Sequence, residues 1–272
     1  MDEMHGWRVT PDDIILLPGV VAAFNLVCQA VAKPGESILL QPPVYPPFFQ
    51  APRYAEARAV FNEITKDENG EYRVDLGLFE SSLEDDTRLF MLCNPHNPIG
   101  RVFSREELQG MAEICLRHEM IICSDEIHCD LVYSGYHHIP IASLDPEIAA
   151  STVTLVAPSK TYNIAGLECS ALICTNEDLR QRIQQSRRGL LGGVNLMGAA
   201  AGVAVRRAHR RGRRRAARRA RRRRSRVAMS AAGVVEKATA ASAAVTPTSL
   251  TTSERRGPSR RERKLTGMDK KM

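Results

Sequence analysis

The chain has 272 residues, of which 43% are hydrophobic and 25% are charged, so it is long enough to bury a large core in one or two domains. Its net charge of +7 combines a net charge of −12 over residues 1–205 with a net charge of +19 over residues 206–272, and therefore does not by itself indicate a nucleic-acid partner. No run of about 18 apolar residues is present, which excludes a membrane-spanning helix. The segment MDEMHGWRVT has no apolar core, so we expect no secretory signal and a cytoplasmic protein.

The first half of the chain predicts strands and helices in alternation. The short apolar run DIILL ends at a Pro-Gly pair, and VVAAFNLVCQAVA then places Val20, Phe24, Val27 and Val31 on one helical face. A Lys-Pro-Gly sequence ends that helix, and SILLQ predicts the next strand. We further predict a strand region in YAEARAVFNEI, a polar hairpin in KDENGEYRVD and a short helix in LGLFESSLE.

The second half repeats the alternation with longer signals. RLFMLCNP predicts a buried strand that ends in a Pro-rich loop, and SREELQGMAEICLRHE predicts an amphipathic helix. Ser104 can cap that helix, because Glu107 three residues later completes a capping box. MIICSDEI, TVTLVAPS and CSALICT predict three more strands, and NEDLRQRIQQSRRGL predicts a helix.

Several of these strands are apolar throughout, which is typical of strands that are covered on both faces. We therefore predict an α/β domain over residues 1–203, with a mostly parallel sheet covered by helices on both faces. Ligands of such sheets bind in the loops that leave the carboxyl ends of the strands. Those loops are PGVV, PPVYPPF, NPHNPIG, DEIHCD and SKTYNIAG.

A single lysine, Lys160, lies in APSKTYNIAGL between an apolar strand run and a turn of small residues. A charge in such a segment is costly unless it is paired, neutral or covalently used. A desolvated lysine loses its proton and becomes an amine nucleophile that forms Schiff bases. The alternative is a lysine whose ammonium reaches solvent or pairs with a nearby acid, and this is the more common case for a lysine considered alone.

The segments NPHNPIGRVFSREEL, SDEIHCDLVY and APSKTYNIAGL, in that order, resemble the fold-type-I pyridoxal-phosphate enzymes of the class I/II aminotransferase superfamily. PPVYPPF with DEIHCDL and SKTYNIAGL is more similar to the cystathionine β-lyase, or cysteine C–S lyase, branch. The resemblance covers about residues 1–200. It implies the large domain of a pyridoxal-phosphate-dependent transferase fold, with pyridoxal 5'-phosphate as the cofactor.

The resemblance assigns chemical roles to four polar side chains. Lys160 would hold the cofactor as a Schiff base and later move the α-proton of the substrate. Asp125, at the end of the buried run MIICSD, would pair with the pyridine nitrogen and keep it protonated, so that the ring can accept electrons. Asn97 would donate a hydrogen bond to the phenolic oxygen of the ring, and His128 would contact or orient the same oxygen. Without the resemblance, Asn97 would be a turn residue and His128 a structural one.

The remaining roles concern the ring face and the phosphate. Tyr45 would stack on the cofactor ring, although its Pro-rich loop also suits a core aromatic. Gly19, Val20 and Val21 would offer the backbone N–H groups of a helix N-terminus to the phosphate, and Ser159 would add a hydroxyl. Two positions depart from the aminotransferase pattern: Glu168 stands where an arginine usually binds the phosphate, and Ala157 stands where a hydroxyl is usual.

The two ends of the chain depart from the family pattern. We expect the N-terminal segment to be shorter than in the family, and we expect residues 204–272 to form a disordered basic tail in place of the small domain. The segment VRRAHRRGRRRAARRARRRRSRVAMSAAG has three interpretations: a nucleic-acid-binding arm, a solvated tail without a partner, or the product of a changed reading frame. We favour the frame change, because the composition shifts abruptly to residues with GC-rich codons.

The function that we predict is a pyridoxal-phosphate-dependent C–S β-lyase that converts cystathionine or cysteine S-conjugates to a thiol, pyruvate and ammonia. The alternative is an aminotransferase, which shares the first steps, and an alternative of another class is a non-catalytic protein that binds nucleic acid through its basic tail. We expect a small amino-acid substrate, a homodimer, no membrane and only adventitious nucleic-acid binding. We also expect weak cofactor binding and little turnover, because the carboxylate-binding arginine of the family is not found.

The seven cysteines are scattered through mostly apolar segments, which indicates reduced core thiols rather than a disulfide framework. Cys129 lies between His128 and Asp130, so a zinc site is conceivable there. No CxxC pair accompanies Cys129, and we therefore predict no metal site.

Overall fold

The computed structural model describes residues 5–189 and 191–208, which belong to the first of two compact units, Met1–Arg211. The nine strands are β1 (Ile14–Leu17), β2 (Ser37–Leu40), β3 (Arg58–Phe61), β4 (Thr65–Lys66), β5 (Tyr72–Arg73), β6 (Thr87–Cys93), β7 (Ile121–Asp125), β8 (Thr152–Val156) and β9 (Ser170–Ile173), within the described residues. The α-helices with both ends described are α1 (Val20–Val31), α2 (Ala51–Tyr54), α3 (Leu76–Ser81), α4 (Arg105–Arg117), α5 (Pro146–Ala150) and α6 (Glu177–Ser186).

Seven of the strands form one sheet in the order β1-β9-β8-β7-β6-β2-β3, and β4 pairs with β5 in a separate hairpin. The neighbouring strands from β8 to β3 are all parallel to each other, whereas β9 runs antiparallel to both β8 and β1. The predicted α/β fold with a mostly parallel sheet is therefore confirmed.

Alternate residues of the central strands face two different cores. Leu89, Met91 and Cys93 of β6 lie in a core that α1 and α6 cover. Phe90 and Leu92 lie in the opposite core, which α4 covers. Because helices bury both faces, these strands need apolar side chains at every position, which is the pattern seen in the sequence.

Helix α4 begins as the sequence predicts. The Ser104 side chain accepts a hydrogen bond from the Glu107 backbone nitrogen at 3.2 Å, and the Glu107 carboxylate accepts one from the Ser104 nitrogen at 2.9 Å. This capping box satisfies two backbone donors that the first helical turn leaves open.

One local prediction needs correction, and one helix was missed. The strand region YAEARAVFNEI contributes only Arg58–Phe61, because Tyr54 lies at the end of α2. Helix α5 was not predicted, since its five residues are too short to show a period. Residues 196–208 are helical. The rest of the predicted tail, residues 209–272, lies outside the described residues.

No helix within residues 5–189 and 191–208 combines the length and the apolar character needed to cross a bilayer.

Phe24 tests the packing of α1 on the sheet. Its ring is fully buried and lies 5.1 Å from the Phe48 ring, so Phe24→Ala should lower the free energy of unfolding by about 3–5 kcal/mol. Urea unfolding followed by circular dichroism measures the loss. Tyr54→Ala, at a side chain that is 61% exposed, is the matched control and should change the midpoint little. Equal losses in both variants would contradict the assignment of this core.

Candidate active site

The predicted site residues follow strands whose carboxyl ends meet at one edge of the sheet. β2, β6, β7 and β8 are parallel, so the loops that carry Tyr45, Asn97, Asp125 and Lys160 leave the same edge. β1 and β8 are both antiparallel to β9, so β1 also ends there, two residues before Gly19. The topology thus brings the loops of all nine predicted residues to one edge.

Asp125 occupies the centre of this edge, as the last residue of β7. Its residue is 5% exposed, and one carboxylate oxygen accepts a hydrogen bond from the Ile127 nitrogen at 3.1 Å. Burial raises the pKa of the Asp125 carboxyl to about 7, with a smaller contribution from the Glu126 carboxylate, whereas the Ile127 hydrogen bond and the Lys160 ammonium lower it. The carboxyl is therefore held in a pocket that favours its neutral form unless a cation binds beside it.

Lys160 is exposed, and its ammonium forms no hydrogen bond or ion pair within the described residues. The turn after β8 carries it outward, because Tyr162 and Ile164 donate backbone hydrogen bonds to Pro158 and Ser159 at 3.0 Å. Of the two interpretations of Lys160, the exposed side chain agrees with a lysine that reaches solvent. Its positive charge lowers the pKa of both Asp125 and His128.

The N-terminus of α1 offers open backbone donors. Gly19 is the N-cap residue in an extended conformation and provides no side-chain cap to the helix. A Cβ built on Gly19 meets no heavy atom within 4 Å, so space for a ligand lies beside the first turn. Val20 is buried and anchors the helix, whereas Val21 is 39% exposed. A helix N-terminus with free N–H groups and open space suits a phosphate. Ser159 is half-buried in the loop after β8, at the same edge.

Asn97 and His128 line a cavity of about 900 Å³, and their side chains form no hydrogen bond within the described residues. Arg101, Tyr133 and Tyr136 line the same cavity. Burial lowers the pKa of His128, and the Lys160 ammonium lowers it further, which favours the neutral imidazole. The other predicted site residues do not line this cavity.

The loops that carry Tyr45 and Asn97 are tied together by a residue that the sequence analysis did not select. His96 is buried, and its Nε2 atom lies 3.0 Å from the Pro43 carbonyl oxygen. Tyr45 itself is at the surface with 36% of its area exposed, and its carbonyl accepts a hydrogen bond from Phe48 at 2.9 Å. An aromatic face is therefore available for stacking, rather than buried as a core aromatic would be.

A second buried acid, Glu126, follows Asp125 and was also missed. Its carboxylate accepts hydrogen bonds from the Ser124 hydroxyl at 3.0 Å and the Ile141 nitrogen at 3.3 Å, and it lies 2.8 Å from His138 Nε2. This network fastens the segment after β7 to the chain near Ile141. No local sequence pattern predicts that Glu126 contacts His138. The only feature that could have identified Glu126 is its position beside Asp125 at the end of a predicted strand.

Glu168 and Ala157 are the two positions that depart from the aminotransferase pattern. Glu168 is exposed and adopts a left-handed conformation with φ 48° at the end of the short Ala165–Leu167 turn. Ala157 is half-buried and packs against the core under α1. Neither side chain offers a cation or a hydroxyl that could bind a phosphate.

An exposed lysine, a buried acid and an open helix N-terminus thus lie at the strand ends of one α/β sheet. Comparison with known proteins agrees with this geometry. The family model described as aminotransferase class I and II matches residues 3–255, and the chain belongs to that family. The match extends past residue 203, where we expected the family-like pattern to stop.

The chain is 42% identical over 203 residues to cystathionine beta-lyase PatB of Bacillus subtilis, covering 74% of this chain and 52% of PatB. The crystal structure of cystalysin from Treponema denticola, which contains a pyridoxal 5'-phosphate cofactor, has a TM-score of 0.72 and 37% identity to this chain, covering 74% of this chain and 52% of cystalysin. Kynurenine–oxoglutarate transaminase 3 of Rattus norvegicus is 32% identical over 168 residues, covering 58% of this chain and 37% of that protein. The chain thus spans about half the length of the curated relatives it matches, or less.

Titration of Asp125 should make stability depend on pH. The unfolded carboxyl titrates near 3.8 and the folded one near 7, so between these values the native chain keeps a proton that the unfolded chain has released. The free energy of unfolding must then fall as the pH rises through this range, by several kcal/mol relative to Asp125→Asn. Urea unfolding of both proteins from pH 4 to pH 7 measures the difference. Parallel curves for the two proteins would contradict the raised pKa.

Proposed function

We propose that this chain carries the cofactor site of a pyridoxal-phosphate-dependent C–S β-lyase that acts on cystathionine or cysteine S-conjugates. The products would be a thiol, pyruvate and ammonia. The similarity to cystathionine beta-lyase PatB supports this choice, because it reaches 42% identity over 203 residues, or 74% of this chain. The observation that carries the proposal is the buried Asp125 at the end of the central strand, within electrostatic reach of the free Lys160 amine.

The residues present fit pyridoxal 5'-phosphate. Asp125 is a buried acid with a single backbone donor, and a protonated pyridine nitrogen supplies the missing cation and donor. The open N-terminus of α1 at Gly19 suits the phosphate, and the free amine of Lys160 suits the aldehyde. Asn97 can donate from its amide to the phenolic oxygen, and Tyr45 offers an aromatic face to the ring.

When bound, the cofactor supplies an electron sink for the bonds at the substrate α-carbon. The chain supplies the other functions. Lys160 would hold the cofactor and move the α-proton of the substrate. Asp125 would keep the pyridine nitrogen protonated, and that cationic partner would in turn lower the pKa of Asp125 and keep it ionised. Asn97 and His128 would hold the phenolic oxygen, and the first turn of α1, with Ser159, would hold the phosphate.

The competing function is an aminotransferase, and the similarity to kynurenine–oxoglutarate transaminase 3 favours it. Both reactions begin with removal of the α-proton by the same lysine, and no described residue separates them. We favour the lyase, because the chain is 42% identical to PatB over 203 residues but 32% identical to the transaminase over 168 residues.

We further propose a cytoplasmic homodimer with a small amino-acid substrate and no membrane partner. The basic tail of residues 204–272 would bind nucleic acid only adventitiously, through nonspecific contacts with phosphates. A non-catalytic nucleic-acid-binding protein would show a steep decrease of DNA affinity with salt that Lys160→Ala leaves unchanged, and it would not bind the cofactor.

Cofactor attachment tests the assignment of Lys160. Pyridoxal 5'-phosphate is added to the purified chain, the adduct is fixed with borohydride, and the labelled peptide is identified by mass spectrometry. Label should concentrate on Lys160 and disappear in Lys160→Ala, because this amine lies at the cofactor edge of the sheet. Lys33→Ala, at another exposed lysine, is the matched control and should keep the label. Equal labelling of wild type and Lys160→Ala would refute the assignment.

Product analysis separates the lyase from the aminotransferase. The chain, loaded with the cofactor, is incubated with cystathionine with and without a keto acid. Pyruvate and free thiol should form without the keto acid, and Lys160→Ala should abolish them, because the α-proton then has no acceptor. Turnover that requires the keto acid and yields a new amino acid would favour the aminotransferase instead.

A further inference from the structure

Three side chains of different chemistry converge beside the proposed cofactor site. The side chains of His5, Cys129 and Asp130 each offer a ligand atom, and these atoms all lie within 4.8 Å of one another. His5 comes from the segment before β1, whereas Cys129 and Asp130 follow β7. An imidazole, a thiol and a carboxylate are the three ligand types that zinc prefers in proteins.

The fold holds both halves of this cluster in place. Trp7, two residues after His5, is buried in a small core with Ala142 and Ile173 and anchors the N-terminal segment. Cys129 is fixed by a turn in which its backbone nitrogen donates to the Glu126 carbonyl at 3.0 Å. The cluster therefore does not depend on the chance approach of flexible side chains.

The neighbouring residues also suit a bound cation. The ring of His138 meets the ring of His5 edge-on, with centroids 5.4 Å apart, and its Nε2 atom lies 2.8 Å from the Glu126 carboxylate. Its other nitrogen, Nδ1, is buried and has no hydrogen-bond partner within the described residues. When Nε2 donates to Glu126, Nδ1 of the neutral ring is a bare acceptor, and water bound to a nearby metal would supply the donor that it lacks.

Cys129 also differs from most cysteines of the described chain. Cys28, Cys93, Cys115, Cys123 and Cys174 are buried, whereas Cys129 and Cys169 are half-buried and remain within reach of a solute. In the part of the chain that the structure describes, only Cys129 has both a histidine nitrogen and a carboxylate oxygen within 4.8 Å of its sulfur atom.

We propose that His5, Cys129 and Asp130 bind one zinc ion, with water in the fourth position. Three protein ligands and one open position is a common zinc arrangement. The cysteine and aspartate would balance the two positive charges of the ion. The site would fasten the segment before β1 to the turn after β7. This inference replaces the prediction from the sequence of no metal site, which did not consider His5, and it is independent of the proposed lyase function.

The test uses the full chain, stripped of metal with a chelator and free of pyridoxal phosphate. Zinc is titrated in competition with a chromophoric chelator, and cobalt replaces zinc to give a spectrum. We expect one zinc ion per chain and a cobalt spectrum with a thiolate-to-metal charge-transfer band. Cys129→Ser, His5→Ala and Asp130→Asn should each weaken zinc binding by about 100-fold or more, because each removes a ligand.

The control is Cys169→Ser, which removes the other half-buried thiol and should keep both zinc affinity and the cobalt band. Zinc that binds the three ligand variants as tightly as wild type, or no stoichiometric zinc in wild type, would overturn the proposal. Thermal melting in the absence of metal identifies variants that fail to fold. If all three ligand variants fail to fold, the cobalt spectrum of Cys169→Ser decides. A thiolate-to-cobalt band in that spectrum supports the site, and its absence overturns the proposal.

Discussion

The burial of Asp125 at the carboxyl end of β7 is the constraint around which the described structure is organised. β7 lies between β6 and β8, and its last residue is tied to both. The Asn94 nitrogen donates to the Asp125 carbonyl at 3.0 Å, and the Glu126 nitrogen donates to the Leu155 carbonyl at 2.9 Å. The starting points of the loops that carry Asn97 and Lys160 are thereby fixed relative to one carboxylate.

Few groups of the described chain offset the cost of burying the Asp125 carboxylate. One backbone donor and a distant ammonium do not replace the water that the carboxyl loses on burial, which is why its pKa rises to about 7. Lys160 is exposed, so solvent screens its charge and it gives Asp125 only partial relief. Buried acids that lack a cation are costly to stability and concentrate at functional sites. The same feature that weakens the empty fold is thus the one that favours a cationic ring nitrogen.

The fold was predictable from the sequence where the signals are local. The capping box of Ser104 and Glu107 and the wholly apolar runs of β6, β7 and β8 each specify an element without reference to the rest of the chain. The candidate site was predictable as a set of loops, because parallel strands share an edge, and the family resemblance named the residues. The reversed direction of β9 and the Glu126–His138 contact depend on contacts between distant segments. No period or spacing within one segment encodes them.

The segment after β7 links the two sites that we propose while sharing no side chain between them. Ile127 donates its backbone hydrogen bond to Asp125, His128 faces the cavity beside Asn97, and Cys129 and Asp130 face His5. A ligand that binds only the native form stabilises that form by mass action, so each occupant adds stability without needing the other.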